Sequence, residues 1–308
     1  MSDQLSAMEQ LVYYLTIDTT VALKKRLEQA IQEREAKADK LEQELGLQNE
    51  RTIDAWSFLA WIYEKKGDLL KALRCLEKVL DGAQNGLGAE HPKAKELVPW
   101  LESLCEAQGM KSGKHCLHAR RKLWNYYTAR CGSHDIQTLA AQNKVLLSLL
   151  DKKDYEEASA VGENLIKTFD ESGISHERMS VAIRHKVAKA HGYLGERAGN
   201  KQMVENQRAV ELLEEVLVKY ETTVPNQEFA FYALRDLRNH YIRLKDSSKA
   251  IDCGRKVNRA FVSLLSSDKS TEYSATRIAN RRDQLVADLA NWPEGAPGVC
   301  LQETNETM

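Results

Sequence analysis

The sequence predicts an all-α protein, a right-handed superhelical solenoid of helical hairpins with capping helices at both ends. Three observations predict it. Apolar residues recur at spacings of three and four through most of the 308 residues, with little of the alternation that a strand requires. Five prolines and sixteen glycines offer few breaks, and a charged fraction of 29% suits long solvated helix faces. Related helical pairs also return along the chain, and stacked pairs let a chain of this length form without a second core.

The elements follow in order. Residues 1–47 read as N-terminal capping helices. The first spans 2–17 with Leu5, Met8, Leu11, Val12 and Leu15, and the second runs from Thr20 to Leu45 with Leu23, Leu27, Ile31, Ala38 and Leu41 at helical spacings. An end repeat needs a cover, which gives this second helix its role. A coiled-coil dimer helix is the alternative, but Arg34 interrupts the apolar seam.

Ala55–Leu80 then holds two amphipathic helices joined by Lys66-Gly67-Asp68, a helix-terminating glycine followed by a capping aspartate. Trp56, Leu59, Ala60 and Tyr63 share one face of the first helix, and Ala72, Leu76 and Val79 share one face of the second. Large residues at fixed offsets from small ones, across a Gly-Asp turn, make up the tetratricopeptide pattern. Gly82–Pro92 reads as a turn-rich loop. Ala158, Ala209 and Ala250 take the place of Ala72 in later pairs. The array is expected over 48–290, with hairpins near 52–83, 95–131, 138–169, 178–220 and 230–265 and a C-terminal capping helix at 273–289. Residues 291–308, with turn formers and little apolar content, read as a mobile tail.

Residues 50–80 resemble the early repeat of the interferon-induced proteins with tetratricopeptide repeats. The likeness is carried by Phe58-Leu59-Ala60 with Tyr63, by Gly67, and by Ala72-Leu73-Arg74-Cys75-Leu76-Glu77. That resemblance implies an all-helical superhelix and, for some members, a basic channel holding single-stranded RNA by its 5′ end, in antiviral innate immunity.

A net charge of −1 argues against an indiscriminate nucleic-acid binder. The basic residues are nonetheless segregated, with +6 over 107–134 and +5 over 230–289. The first segment interleaves Arg120, Arg121, Lys122 and Arg130 with Trp124 and Tyr127, the residue types that hold a phosphate backbone and stack a base. The same pattern also arises when the aromatics are core and the cations meet acidic neighbours. In the second segment, alignment of Leu237 with Leu59 puts Arg235, Asn239 and Arg243 on one stripe facing the groove. Looser alignments add Asn143, His185 and Lys189, and Arg277 with Arg281 extends the stripe. This stripe resembles the clamp by which some tetratricopeptide repeats grip a peptide's terminal carboxylate. Solvated salt bridges are the competing explanation.

The expected function is a non-catalytic binding module holding an acidic or carboxylate-bearing protein or peptide, with single-stranded RNA as the alternative partner. Cys116, His118, Cys131 and His134 have the residue types for zinc, but Cys116 and His118 would point apart on a helix, so no metal is expected. No phosphate-binding, nucleotide-binding or nucleophile motif occurs, so neither a cofactor nor catalysis is expected. No apolar run approaches membrane length and no leader pattern opens the chain. Six scattered cysteines suit a reducing compartment, and the expected location is cytoplasmic.

Overall fold

The computed structural model describes residues 21–112, 116–197, 202–222 and 227–267. Its described residues form mostly α-helices. The chain divides into two compact units, Met1–Asp154 and Tyr155–Met308. The expected helices at 2–17 and 273–289, and the tail at 291–308, lie outside the described residues.

In the first unit, α1 (Val21–Leu45) packs on α2 (Glu50–Lys66), and α2 on α3 (Leu69–Gly86). Then α3 packs on α4 (Pro92–Ser112), α5 (Leu117–Cys131) lies against both α3 and α4, and α6 (Ile136–Lys152) packs on α5. Ile31 and Ala38 of α1 are buried in the same core as Trp56, Leu59 and Tyr63 of α2, so α1 covers the first hairpin. Arg34, which interrupts the apolar seam, places its guanidinium 4.6 Å from the Phe58 ring centroid. A cation over an aromatic face lets a charged residue stay in a packed seam.

The α2–α3 hairpin turns at Gly67, whose φ of 81° is open to glycine at little cost. Its N–H and that of Asp68 return to the carbonyls of Glu64 and Tyr63, closing the last turn, while the Asp68 carboxylate accepts from the Lys71 N–H at 3.2 Å. Ala60 and Ala72 are both fully buried, as their small size in the pattern requires.

The stretch expected as a loop from Gly82 is helical to Gly86. A Cβ on Gly82 would lie 2.2 Å from the Leu47 carbonyl oxygen, and one on Gly86 would lie 2.5 Å from the Gln48 Cβ. These glycines therefore let the α1–α2 connection cross directly over α3, Gly82 within the helix and Gly86 at its last residue.

In the second unit, α7 (Tyr155–Glu171), α8 (Glu177–Arg197), α9 (Gln202–Thr222), α10 (Gln227–Arg243) and α11 (Ser247–Ser267) pack each on the next. Gly162 of α7 accommodates Val187 of α8, where a Cβ would come within 2.4 Å of the valine methyl. Ala158, Ala209 and Ala250 are buried. His191 ties three helices together. Its Nδ1 is 2.7 Å from Glu205 of α9 and its Nε2 3.0 Å from Glu163 of α7, and Glu163 also takes a two-pronged contact from Arg208 at 2.7 and 2.8 Å. Arg184 is almost fully buried, and is paired with Asp170 at 2.7 Å and Glu215 at 3.0 Å.

Candidate functional site

A cavity of about 300 Å³ opens between α8, α9 and α10. Lys189, Gly192, Tyr193 and Glu196 line it from α8, Leu213 from α9, and Arg235, Asp236, Asn239, His240 and Arg243 from α10. The helical period produces this wall: Arg235, Asn239 and Arg243 repeat every four residues, and Lys189, Tyr193 and Glu196 occupy one face of α8.

Four of the residues that the sequence nominates for a groove thus share one cavity: Lys189, Arg235, Asn239 and Arg243. His185 stands behind its wall, with Nε2 3.2 Å from Asp236. Asn143 belongs to α6 in the first unit. Arg277 and Arg281 lie outside the described residues.

Two carboxylates in this wall are not evident from the basic stripe. Asp236 accepts from Arg235 at 3.0 Å, and Glu196 pairs with Arg243. Burial alone would raise the Asp236 carboxyl, but His185, Arg235 and Lys189 outweigh it and hold it below the usual carboxylate range. Three cations against two carboxylates leave the wall with one net positive charge. Asp236 follows Arg235 directly, so it faces a staggered stripe; Glu196 lies on another helix. Neither is found by following positions four apart.

His240 forms the floor. It is 4% exposed, its Nδ1 donates to the Asn206 amide oxygen at 2.9 Å, and Asn206 in turn donates to the Gln202 carbonyl at 2.8 Å. Burial, reinforced by the Arg243 charge, pushes its pKa down to about 4, so the ring is neutral at ordinary pH. A helical glycine, Gly192, makes room for it.

The residues nominated for RNA sit on α5 in the first unit. Arg120 donates to the Ser148 hydroxyl at 2.6 Å and the Lys144 carbonyl at 3.3 Å on α6. Lys122 pairs with Asp81, and Arg130 is 3.0 Å from Glu90. Trp124, Tyr127 and Arg121 are half-buried. Burial and Glu102 push the Tyr127 hydroxyl up to about 12. Two of this segment's cations, Lys122 and Arg130, are therefore met by carboxylates, Asp81 on α3 and Glu90 in the turn before α4.

The Cys/His pairs weighed for zinc are also separated. Cys116 is buried at the start of α5, where its thiol donates to the Cys105 carbonyl at 3.4 Å, while Cys131 and His134 are exposed at the far end. Fifteen residues of helix hold the two pairs about 22 Å apart. Among the described residues, no group of three or more His, Cys, Asp or Glu side chains could hold a metal ion. Nor is any described helix long and apolar enough to cross a membrane.

Together the hairpins and the cavity define a helical-repeat protein of tetratricopeptide-like pairs with a polar groove. No family model matches the sequence, and no curated protein matches it. Among solved structures, one similar chain is a protein described as a kinesin light chain of nearly identical TPR-like repeats, from Podosopora anserina. It shares 19% identity at a TM-score of 0.47, over 68% of this chain and 95% of that one. A second structure of that protein gives 19% identity and a TM-score of 0.47, over 71% and 97%. BtubC (BKLC) from P. vanneervenii gives 14% identity and a TM-score of 0.42, over 92% and 98%. The tetratricopeptide-like character of this chain rests on its own geometry, above all Ala60, Ala72 and the Gly67 turn.

Proposed function

We propose that this chain is a non-catalytic scaffold that holds a protein or peptide partner by a carboxylate in the α8–α10 cavity. The supporting observation is the convergence of Lys189, Arg235, Asn239 and Arg243 on one concave wall. Guanidinium groups bind carboxylates through paired, charge-assisted hydrogen bonds, and the asparagine amide adds a neutral donor. The resident carboxylates differ in how firmly they are held. Arg243 and Glu196 are partly exposed, and an exposed pair contributes about 0–1 kcal/mol, so an incoming carboxylate can replace Glu196. Asp236 is enclosed by His185 and Arg235 and stays, orienting Arg235 toward the cavity. Five free thiols among the described residues, four of them buried, support a reducing cytoplasmic location.

Kinship with the interferon-induced tetratricopeptide proteins would bring single-stranded RNA as the competing occupant. The pairing of Lys122 with Asp81 and Arg130 with Glu90 weighs against that occupant. The test is fluorescence anisotropy with a labelled acidic peptide carrying a free C-terminal carboxylate, compared with the same peptide amidated. Tighter binding of the free acid, retained in the presence of unlabelled single-stranded RNA and lost when Arg243 is reversed to Glu, supports the proposal. Equal binding of acid and amide, or displacement of the peptide by the RNA, contradicts it.

A further inference from the structure

The α2–α3 and α10–α11 hairpins repeat one another at a constant offset in sequence: Tyr63 with Tyr241, Asp68 with Asp246, Lys71 with Lys249, Cys75 with Cys253 and Lys78 with Lys256. Their contacts repeat as well. The Tyr63 hydroxyl donates to Glu35 of the preceding helix, and the Tyr241 hydroxyl donates to Glu214 of the preceding helix. Asp68 caps Lys71 N at 3.2 Å, and Asp246 caps Lys249 N at 3.1 Å. The two lysine ammonium groups stand 4.9 Å and 5.2 Å from the paired tyrosine rings.

One position differs in a way that leaves space. Trp56 of the first hairpin is 7% exposed, its indole N–H donates to Glu42 at 3.0 Å, and Lys78 Nζ lies 3.9 Å from its ring centroid. The corresponding residue of the second hairpin is Leu234, half-buried and far smaller. Beside it a cavity of about 250 Å³ opens between α9, α10 and α11. Leu217, Val218, Leu234 and Leu237 form apolar walls, Glu214, Asp252, Lys249 and Lys256 add charges of both signs, Lys256 holds the sequence place of Lys78, and Val218 is 59% exposed. Counted from the paired Glu35 and Glu214, the sequence position of Glu42 is again a glutamate, Glu221.

We propose that this cavity is a docking site for a tryptophan side chain of a protein partner, seated as Trp56 is seated in the first hairpin. The apolar walls suit the ring, and the lysine suits its electron-rich face, an arrangement that an aliphatic side chain would not use. The site is separate from the α8–α10 cavity and stands whether or not that cavity binds a carboxylate.

The test uses the full chain and N-acetyl-tryptophanamide as the probe, followed by backbone amide NMR shifts. Saturable millimolar binding is expected, with shifts concentrated at Leu217, Val218, Leu234, Leu237 and Cys253. Leu234→Trp places the chain's own indole in the cavity and should weaken probe binding at least tenfold. Val218→Arg, at an exposed position, should do the same by closing the mouth, and it carries the comparison if Leu234→Trp does not fold. Shifts confined to other residues, unchanged affinity in the folded variants, or equal shifts with N-acetyl-leucinamide would overturn the proposal. So would a dimer of the wild-type chain that disappears in Val218→Arg, because it would assign the cavity to a second copy.

Discussion

Gly192 lies directly against His240: a Cβ added to the glycine would come within 2.6 Å of the imidazole Cε1. The ring cannot retreat freely, because its Nδ1 is bonded to Asn206 at 2.9 Å. Gly192→Ala would gain about 1 kcal/mol of helix propensity. Overpacking against a held ring costs about 1–3 kcal/mol, so the clash should win. The expected result is a melting temperature lowered by several degrees, together with loss of the peptide binding assigned to the α8–α10 cavity. A higher melting temperature would mean that His240 moves aside without cost.

The two buried histidines of the second unit should respond to pH in opposite ways. His240 has a folded pKa near 4, below its unfolded value, so its contribution is complete above about pH 6.5 and is lost as pH falls toward 4. At most about 1.4 kcal/mol per pH unit can be lost this way. His191 is lowered by burial but raised more by its bonds to Glu163 and Glu205, for a net upward shift. Its contribution is therefore complete below about pH 6.5 and is lost as pH rises through the folded value. Urea denaturation between pH 5 and pH 9 should show a stability maximum near the ordinary histidine pKa, about 6.5. His240→Asn should flatten the acid limb, and His191→Asn the basic limb. Glu163, held down to about 2 chiefly by Arg208, begins to matter only below the range tested.

Gly82 gives a third expectation. A Cβ at this position would lie 2.2 Å from the Leu47 carbonyl oxygen, so Gly82→Ala must push backbone away from backbone. A loss of about 1–3 kcal/mol is expected despite the better helix former, read as a lower denaturation midpoint. An unchanged midpoint would show that the α1–α2 connection is loosely held.

The hairpins are legible in the sequence where a local cause is sufficient. Gly67 needs a positive φ and Ala72 needs a close neighbour, and both requirements show in residue type and spacing. Gly82 and Gly86 are a different case. The partner that makes them necessary, Leu47-Gln48, is more than thirty residues away, so a glycine pair reads as a turn. The stripe of Arg235, Asn239 and Arg243 can be read from a period of four on one helix. Asp236, which tempers its charge from the next position on the same helix, falls off that period, and Glu196 becomes apparent only once α8 and α10 are side by side. In α5, the sequence shows cations beside aromatics but does not show Asp81 and Glu90, which answer them from elsewhere in the fold.

The most direct test of the account is charge reversal at the cavity. Arg235→Glu with Arg243→Glu should abolish binding of an acidic, carboxylate-terminated peptide while the far-ultraviolet circular dichroism stays helical. Replacing Arg120, Arg121, Lys122 and Arg130 on α5 should leave that binding unchanged. The contrary result is peptide binding that survives the Arg235/Arg243 reversal. Single-stranded RNA binding whose log–log salt slope flattens by about 0.7 for each α5 cation removed would likewise place the binding site on α5.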